Sequence, residues 1–380
     1  MTTDRRAFLA RAAACGALAS TPFAWPRVSS AAQAQSAPSF NPVPGDWRRF
    51  AVTTRVDLQN ASGQTLMWLP APSVQNDWQQ SDVGTVTTNG QVTWREDPRY
   101  GARMLAVSFA AGEPAPFVEL TNRVQTRSRA IDWSAPADAT VVLDAQERAF
   151  WLAPTELLPT DGVVRQTAQS IVRSADADAV KARKIFDWIV VNTFREPTTK
   201  GCGPGDIASM LSNNNLGGKC ADINALFVGL CRAAGVPARD VYGVRLAPSA
   251  FHYKQLGGNS ADLSGAQHCR AEVFLNGRGW VAMDPADVTK VMRHETPEWL
   301  RDVNHPVVAP VYKALFGAWE GNWMAWNMAH DVRLPDASGQ AVGDPVGFLM
   351  YPMAFTNGQF VDQYQPKAFK YVISAQALSA

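Results

Sequence analysis

Hydrophobic and polar residues alternate in short runs over the first part of the chain. From Phe50 onward, segments such as Phe50–Val56 and Gln91–Trp94 place apolar side chains at roughly every second position, and turn sequences such as Asn89-Gly90 separate them. This pattern is typical of antiparallel strands with one buried face. We predict a β-sandwich-like domain over residues 46–150. It contains no His or Cys, so we expect it to be structural or to position substrate.

The periodicity becomes helical after Pro154. Thr160 or Asp161 is placed to cap a first helix, and Asp176 or Asp178 a second. A third helix is predicted from Cys220 to about Ala234, where Gly235 and Pro237 follow. We interpret residues 155–292 as a separate core domain.

Strands are expected in the second half of this core and in the remainder of the chain. Val241–Arg245 is one, and a hairpin from His268 to about Met283 turns at Asn276-Gly277-Arg278-Gly279. Residues 293–380 are predicted to be an extension that packs on the core, with a short aromatic helix and late strands. The fold class is therefore α+β.

Composition and charge exclude several kinds of protein. The chain has 380 residues, of which 46% are hydrophobic and 18% charged, which is inconsistent with a disordered chain. Lys and Arg number 35 against 34 Asp and Glu. We therefore expect no nucleic acid partner, because no basic surface is available to hold phosphates.

The first residues resemble an export signal. Arg5 and Arg6 precede a weakly apolar stretch, Ala12–Trp25, and Ala32-Gln33-Ala34 is a small-residue cleavage pattern. We predict a twin-arginine-like signal over residues 1–34 and a periplasmic or extracellular location in a bacterium. The apolar stretch is shorter than the roughly 20 residues that span a bilayer, so we expect no stable membrane insertion after cleavage.

Cys220 is the best candidate for a reactive side chain. At a helix start, next to Lys219 and after two glycines, its sulfur meets unpaired N–H groups that favour the thiolate. Cys231 lies on the apolar stripe of the same helix and is interpreted as core. For the oxyanion that forms when a thiolate attacks a carbonyl, we expect the Cys220 N–H and a second, unidentified donor.

A thiolate needs an imidazole to move its proton. Among five histidines, His268 opens a strand whose alternate residues Cys269, Ala271, Val273 and Leu275 are apolar, so His268 lies on the other face. Asp284, on the returning strand, is the third member. A two-residue loop places it on the wrong face, whereas an odd-length loop or a bulge, with Gly279 as the natural site, places it beside His268.

Four segments in order resemble the transglutaminase-like proteins of papain-like fold. They are Gly218-Lys219-Cys220-Ala221-Asp222, Ala233–Arg239, Gln267–Val273 and Gly279–Pro285. The resemblance implies Cys220 as nucleophile, His268 as base and acid, and Asp284 as the carboxylate that orients the imidazole. It also implies a papain-like core after the β-rich domain. Members of the family differ in whether an amine or water accepts the acyl group.

Other arrangements of the cysteines and aromatics are weighed against this one. A zinc site from Cys202, Cys220, His268 and Cys269 is disfavoured, because neighbouring strand residues point to opposite faces and the chain has no Cys-x-x-Cys pair. A disulfide between Cys202 and Cys269 stays open. Trp319, Trp323 and Trp326 are interpreted as core in preference to a substrate wall. We expect no metal and no cofactor.

These observations predict a thiol-dependent enzyme that forms a cysteine thioester from a Gln carboxamide or a peptide amide in a protein or peptide of the cell envelope. The segment Leu246–Gly265, rich in Gly, Ser and Ala, is interpreted as a mobile flap that admits water, so hydrolysis is favoured over cross-linking. The alternative is a catalytically idle module of the same fold that binds envelope peptides.

Overall fold

Strands make up the first part of the chain in the computed structural model, which describes residues 39–59, 61–82 and 84–379. In chain order they are β1 (Arg48–Asp57), β2 (Thr65–Pro70), β3 (Gln79–Ser81), β4 (Thr85–Thr88), β5 (Gln91–Glu96), β6 (Arg103–Phe109), β7 (Phe117–Thr126) and β8 (Arg129–Ala130). In β1, Phe50, Val52, Thr54 and Val56 are buried and the residues between them are not, as the alternation predicts.

Helices enter the fold at residue 145, close to the predicted change of periodicity. The elements that follow are α1 (Ala145–Leu152), α2 (Gly162–Ile171), α3 (Asp178–Asn192), β9 (Phe194–Arg195), α4 (Ile207–Ser212), β10 (Gly217–Gly218), α5 (Cys220–Ala233), β11 (Ala238–Arg245), a 3₁₀ turn (Lys254–Leu256), β12 (Gln267–Leu275), β13 (Gly279–Met283) and α6 (Pro285–His294). The three predicted helices correspond to α2, α3 and α5.

The last part of the chain contains α7 (Ala309–Ala314), β14 (Ala318–Trp319), β15 (Trp323–Asn327), β16 (Met353–Thr356), β17 (Gln359–Phe360), α8 (Pro366–Phe369) and β18 (Tyr371–Leu378). The predicted aromatic helix is wrong, because Trp319 lies on β14 and Trp323 and Trp326 lie on β15. A spacing of four and three fits a helix, but a bend at Gly321-Asn322 separates two strands. All three indoles are buried core, as expected.

The strands of the last part complete the sheets of the first. One sheet has the order β18-β1-β7-β3, with β4 also on β7, and the other has the order β17-β16-β2-β6-β5. Arg49 pairs with Leu378 and Val56 with Tyr371. The predicted extension therefore contributes strands to the N-terminal sheets as well as contacting the core. Residues Ala37–Ala380 cluster as one compact unit, and the boundaries between the predicted domains stay predictions.

A central antiparallel sheet, β13-β12-β11-β15, carries the core domain. The helix α5 packs on β11 and β12, and every residue from Cys220 to Arg232 is buried. Such a helix has no solvent face, which explains why Asp222, Asn224 and Arg232 all have hydrogen-bond partners.

Two further findings concern the membrane and export. Within the described residues, no helix is both long and apolar enough to cross a membrane. The predicted export signal, residues 1–34, lies outside the described residues and stays a prediction.

Candidate active site

Cys220 is the first residue of α5, at the end of a tightly packed glycine approach. A Cβ on Gly218 would lie 2.6 Å from the Cβ of Asp222, so this position accommodates only glycine without a shift. Asp222 accepts hydrogen bonds of 2.9 Å from the backbone N–H groups of Lys219 and Gly205. These bonds fix the first turn of the helix and place the sulfur at its positive end.

His268 and Asp284 meet because the β12–β13 loop has an odd number of residues. Leu275 pairs with Gly279, which leaves a three-residue loop, and φ is +80° at Gly277 and +74° at Gly279. This register sets Asp284 on the face of His268, and Nε2 of His268 lies 2.7 Å from Oδ2 of Asp284. The predicted loop geometry is confirmed.

A second carboxylate, which the sequence analysis missed, lies on the same imidazole nitrogen. Oδ2 of Asp287 is 3.3 Å from Nε2 of His268, and its Oδ1 pairs at 2.5 Å with the buried Arg245. Asp284 caps α6 by accepting the N–H of Asp287 at 3.0 Å. The spacing Asp284-Pro285-x-Asp287 was visible in the sequence, but it is equally typical of an ordinary helix start.

Asn224 and Arg270 hold the Asp284 carboxylate from two further directions. Nδ2 of Asn224 donates to Oδ1 of Asp284 at 3.2 Å and to the carbonyl of Cys269 at 2.8 Å. Nε of Arg270 is 3.6 Å from Oδ2 of Asp284. The carboxylate is therefore fixed before any substrate binds, which is what an imidazole-orienting group requires.

The pKa values of the sulfur and the imidazole shift in opposite directions. Burial opposes ionisation of Cys220, but hydrogen bonds from Cys202, Cys269 and His268 outweigh it and lower the pKa of Cys220 well below its ordinary value. Burial and Arg245 act to lower the pKa of His268, yet Asp287 and Asp284 raise it to about 9. These two directions favour a thiolate–imidazolium pair at the site.

The two carboxyl groups differ in how readily they ionise. Burial and the nearby Asp287 raise the pKa of Asp284, whereas Arg245 and His268 overcome burial and lower the pKa of Asp287 well below its usual range. Asp287 therefore carries the more firmly held negative charge beside His268. Since Nε2 faces both carboxylates, Nδ1 is left to face the sulfur.

Three cysteine sulfurs lie together at the site. The Sγ atoms of Cys202, Cys220 and Cys269 are all within 4.8 Å of one another, and all three thiols are buried and free. No disulfide joins Cys202 to Cys269. Cys231 is also free and fully buried, and burial raises its pKa well above the ordinary value, in agreement with its interpretation as core.

Other sequence expectations have mixed outcomes. The segment Leu246–Gly265 is not a loose flap: Leu246, Leu256 and Leu263 are buried, Ser249 bonds to Glu320, and Arg245 donates to the carbonyl of Leu256. The flap interpretation is wrong because the apolar residues of this segment, which are spaced among small residues, pack into the core. His330 follows β15 and lies buried, with its Nε2 3.3 Å from Oδ2 of Asp240.

This chain matches one family model and one curated relative. Residues 165–285 match the model of the transglutaminase-like superfamily. An uncharacterized protein of Haemophilus influenzae is 34% identical over 349 residues, which cover 86% of this chain and 90% of that protein.

Two solved structures match this chain, and one of them is similar in fold. A candidate cysteine protease from Cytophaga hutchinsonii has a TM-score of 0.53 at 15% identity, over 89% of this chain and 93% of that one. The periplasmic domain of TgpA from Pseudomonas aeruginosa has a TM-score of 0.35 at 15% identity, over 74% and 94%. The predicted fold class, a sheet-rich N-terminal region with a core of this type, is confirmed.

Proposed function

Because residues 165–285 match the transglutaminase-like superfamily, we propose that the protein is a thiol enzyme that attacks a Gln carboxamide or a peptide amide and forms a cysteine thioester. The family supports thiol-dependent chemistry in general. The observation that carries the specific proposal is the 2.7 Å contact between His268 and Asp284 beside Cys220, whose pKa His268 helps to lower. The proposed roles are nucleophile, acid and base, and orienting carboxylate.

The reaction follows from the resting ion pair. The Cys220 thiolate attacks the carbonyl carbon, and the Cys220 N–H at the start of α5 is the proposed donor to the developing oxyanion. The N–H of Ala221 is already bonded to the carbonyl of Cys202 at 2.9 Å, so it is not the second donor. Protonated His268 then gives its proton to the leaving nitrogen, and the thioester remains.

Water is the proposed acyl acceptor. Neutral His268 removes a proton from water, which attacks the thioester and regenerates the thiolate. Bulk water, at roughly 55 M, competes with any amine unless the site excludes it and positions the amine. Trp323 does not line a water-excluding cleft, because its indole is buried core and donates to the carbonyl of His268 at 3.0 Å.

The proposed setting is the bacterial periplasm or the extracellular space, with a protein or peptide of the cell envelope as substrate. This setting rests on the predicted signal over residues 1–34. A catalytically idle binding module is not favoured, because such a module has no need of an imidazole whose pKa two buried carboxylates raise.

The test is incubation of the purified protein with a Gln-containing protein and a labelled primary amine. We expect ammonia release or chain cleavage with little amine incorporation, and loss of both in Cys220→Ala. Cys231→Ala is the matched control, since this cysteine lies on the same helix away from the site. Efficient incorporation that depends on Cys220, with little hydrolysis, would establish a transamidase instead. No Cys220-dependent product would remove the proposal.

A further inference from the structure

The sulfur of Cys202 lies within disulfide reach of the proposed nucleophile after a small movement. The Sγ atoms of Cys202 and Cys220 are no more than 4.8 Å apart, and the carbonyl of Cys202 accepts the N–H of Ala221 at 2.9 Å. The two backbones are therefore in direct contact beside Cys220. A disulfide has a sulfur–sulfur distance of about 2 Å, so a shift of at most about 3 Å closes it.

We infer that Cys202 is a resolving cysteine that converts oxidised Cys220 into a reversible Cys202–Cys220 disulfide and so protects the site from irreversible oxidation. The inference rests on the proposed function only in taking Cys220 as the reactive thiolate. A thiolate with a neighbouring thiol is the arrangement of a redox-sensitive pair.

The backbone selects Cys202 over Cys269 as the partner. Cys202 lies in the segment Gly201-Cys202-Gly203-Pro204-Gly205, in which all three glycines have positive φ, at +53°, +93° and +79°. Cys202 therefore lies in a loop outside the central sheet, where a shift of its backbone breaks no strand pairing. Cys269 lies inside β12, paired with β11 on one side and near β13 on the other, so its Cα cannot approach Cys220 without breaking the central sheet.

The Cys202 thiol becomes easier to ionise once Cys220 has been oxidised. The neighbouring Cys220 sulfur is the largest cause that holds the pKa of Cys202 above its ordinary value, and the Cys202 thiol donates to the carbonyl of Gln267 at 3.4 Å. Oxidation replaces the Cys220 thiolate by a neutral sulfenic acid, which removes this cause. Cys202 then loses its proton more readily, and the thiolate is the form that attacks sulfur.

The chemistry balances with a peroxide as the two-electron oxidant. The Cys220 thiolate attacks one peroxide oxygen, the O–O bond breaks, and with one proton the products are Cys220–SOH and water. Cys202 then attacks the Cys220 sulfur, the S–O bond breaks, and the thiol proton of Cys202 leaves with hydroxide as a second water. A thiol reductant restores both cysteines.

The test is peptide mapping of the full-length protein after hydrogen peroxide treatment and blocking of free thiols. Trypsin cuts after Lys200, Lys219 and Arg232, so Cys202 and Cys220 fall in separate peptides, 201–219 and 220–232. Because the second peptide also contains Cys231, the experiment uses the Cys231→Ser variant. We expect peptides 201–219 and 220–232 to be joined, and dithiothreitol to restore iodoacetamide labelling of Cys220.

Two variants separate the partners. In Cys202→Ser, Cys220 is expected to gain two or three oxygens and to stay unlabelled after reduction, whereas Cys269→Ser still forms the joined peptides. A Cys220–Cys269 link would overturn the inference. So would oxidation of Cys220 to the sulfinic or sulfonic acid without any link, which peptide mapping of the wild-type protein detects. If Cys220 reacts with neither peroxide nor iodoacetamide, the proposed nucleophile itself fails, which is a distinct outcome.

Discussion

At the scale of single residues, the site should be active over a defined range of pH. The Cys220 pKa is lowered well below its ordinary value and the His268 pKa is raised to about 9. The ion pair therefore exists above the first pKa and is lost as the pH rises through the second, when the imidazolium loses its proton. We expect the rate of Cys220 alkylation by iodoacetamide and kcat/KM to be stable near neutrality, and kcat/KM to fall above about pH 9.

Asp287 is predicted to set the upper limit of that range. Its charge is the largest influence that raises the pKa of His268, so Asp287→Asn should move the alkaline limb of the kcat/KM profile down by about one pH unit. Asp138→Asn, at an exposed loop position, is the control. An unmoved alkaline limb in a folded Asp287→Asn protein would show that Asp284 alone holds the imidazolium.

Reactivity should distinguish the cysteines of the described chain. At neutral pH, iodoacetamide is expected to modify Cys220 ahead of Cys231, because burial without a compensating donor raises the pKa of Cys231. Mass mapping of a time course checks the order. Labelling of Cys231 or Cys269 first, with Cys220 untouched, would contradict the nucleophile assignment.

The sequence located the three principal residues because few residues of the required types were available and their strand and helix positions were clear. It did not locate Asp287, Arg245 or Asn224. The position of Asp287 in the first turn of α6 is typical of any helix start and does not indicate a catalytic role. The pairing of Arg245 with Asp287 joins residues 42 apart in the chain. Such contacts depend on how β11 and α6 pack, which no local pattern encodes.

At the scale of elements, the β12–β13 loop should be sensitive to side chains at its glycines. A Cβ on Gly277 would meet the Cβ of Ala137 at 2.7 Å in addition to its positive φ, whereas a Cβ on Gly279 would make only an ordinary 3.6 Å contact with Val141 in addition to its positive φ. We expect Gly279→Ala to lower the free energy of unfolding by about 1 kcal/mol and Gly277→Ala to lower it more.

Gly265→Ala is the matched control for this series, because nothing lies within 4 Å of its added Cβ and its φ is not positive. Urea denaturation measures all three. Equal effects at the three positions would show that the loop conformation is not what holds the hairpin register.

Elements were predictable where one local pattern dominated. The apolar stripes of α2, α3 and α5 and the alternation of β1 and β12 needed no knowledge of partners. The cap predicted for α3 at Asp176 or Asp178 is wrong, because its N-cap is Ala177, whereas Asp161 is the N-cap of α2 without a side-chain hydrogen bond. The helix predicted over Trp319–Trp326 is wrong because the spacing of its indoles fits a helix, whereas a bend at Gly321 separates two strands. The mobile flap predicted over Leu246–Gly265 is wrong because small residues are typical of both flexible loops and tightly packed ones.

At the scale of the whole molecule, β18 should be essential to stability although it is far from the site in sequence. Ile373 is 1% exposed and its neighbour Val372 is 46% exposed, because alternate residues of the strand face opposite sides. Ile373→Ala is expected to lower the free energy of unfolding by about 2–4 kcal/mol, and Val372→Ala by under about 0.5 kcal/mol. Chemical denaturation checks the pair. Similar values for both would show that β18 is only loosely attached.

The pairing of β1 with β18 also dictates an order of events during biosynthesis. A ribosome releases β1 and β2 long before the strands that neighbour them, β18 and β16, have been made. Until then the nascent chain presents two unpaired strand edges, which are templates for intermolecular association. The N-terminal sheets can therefore close only after β18 has been made, and closing them joins residues more than 300 apart in the chain, a separation that slows folding.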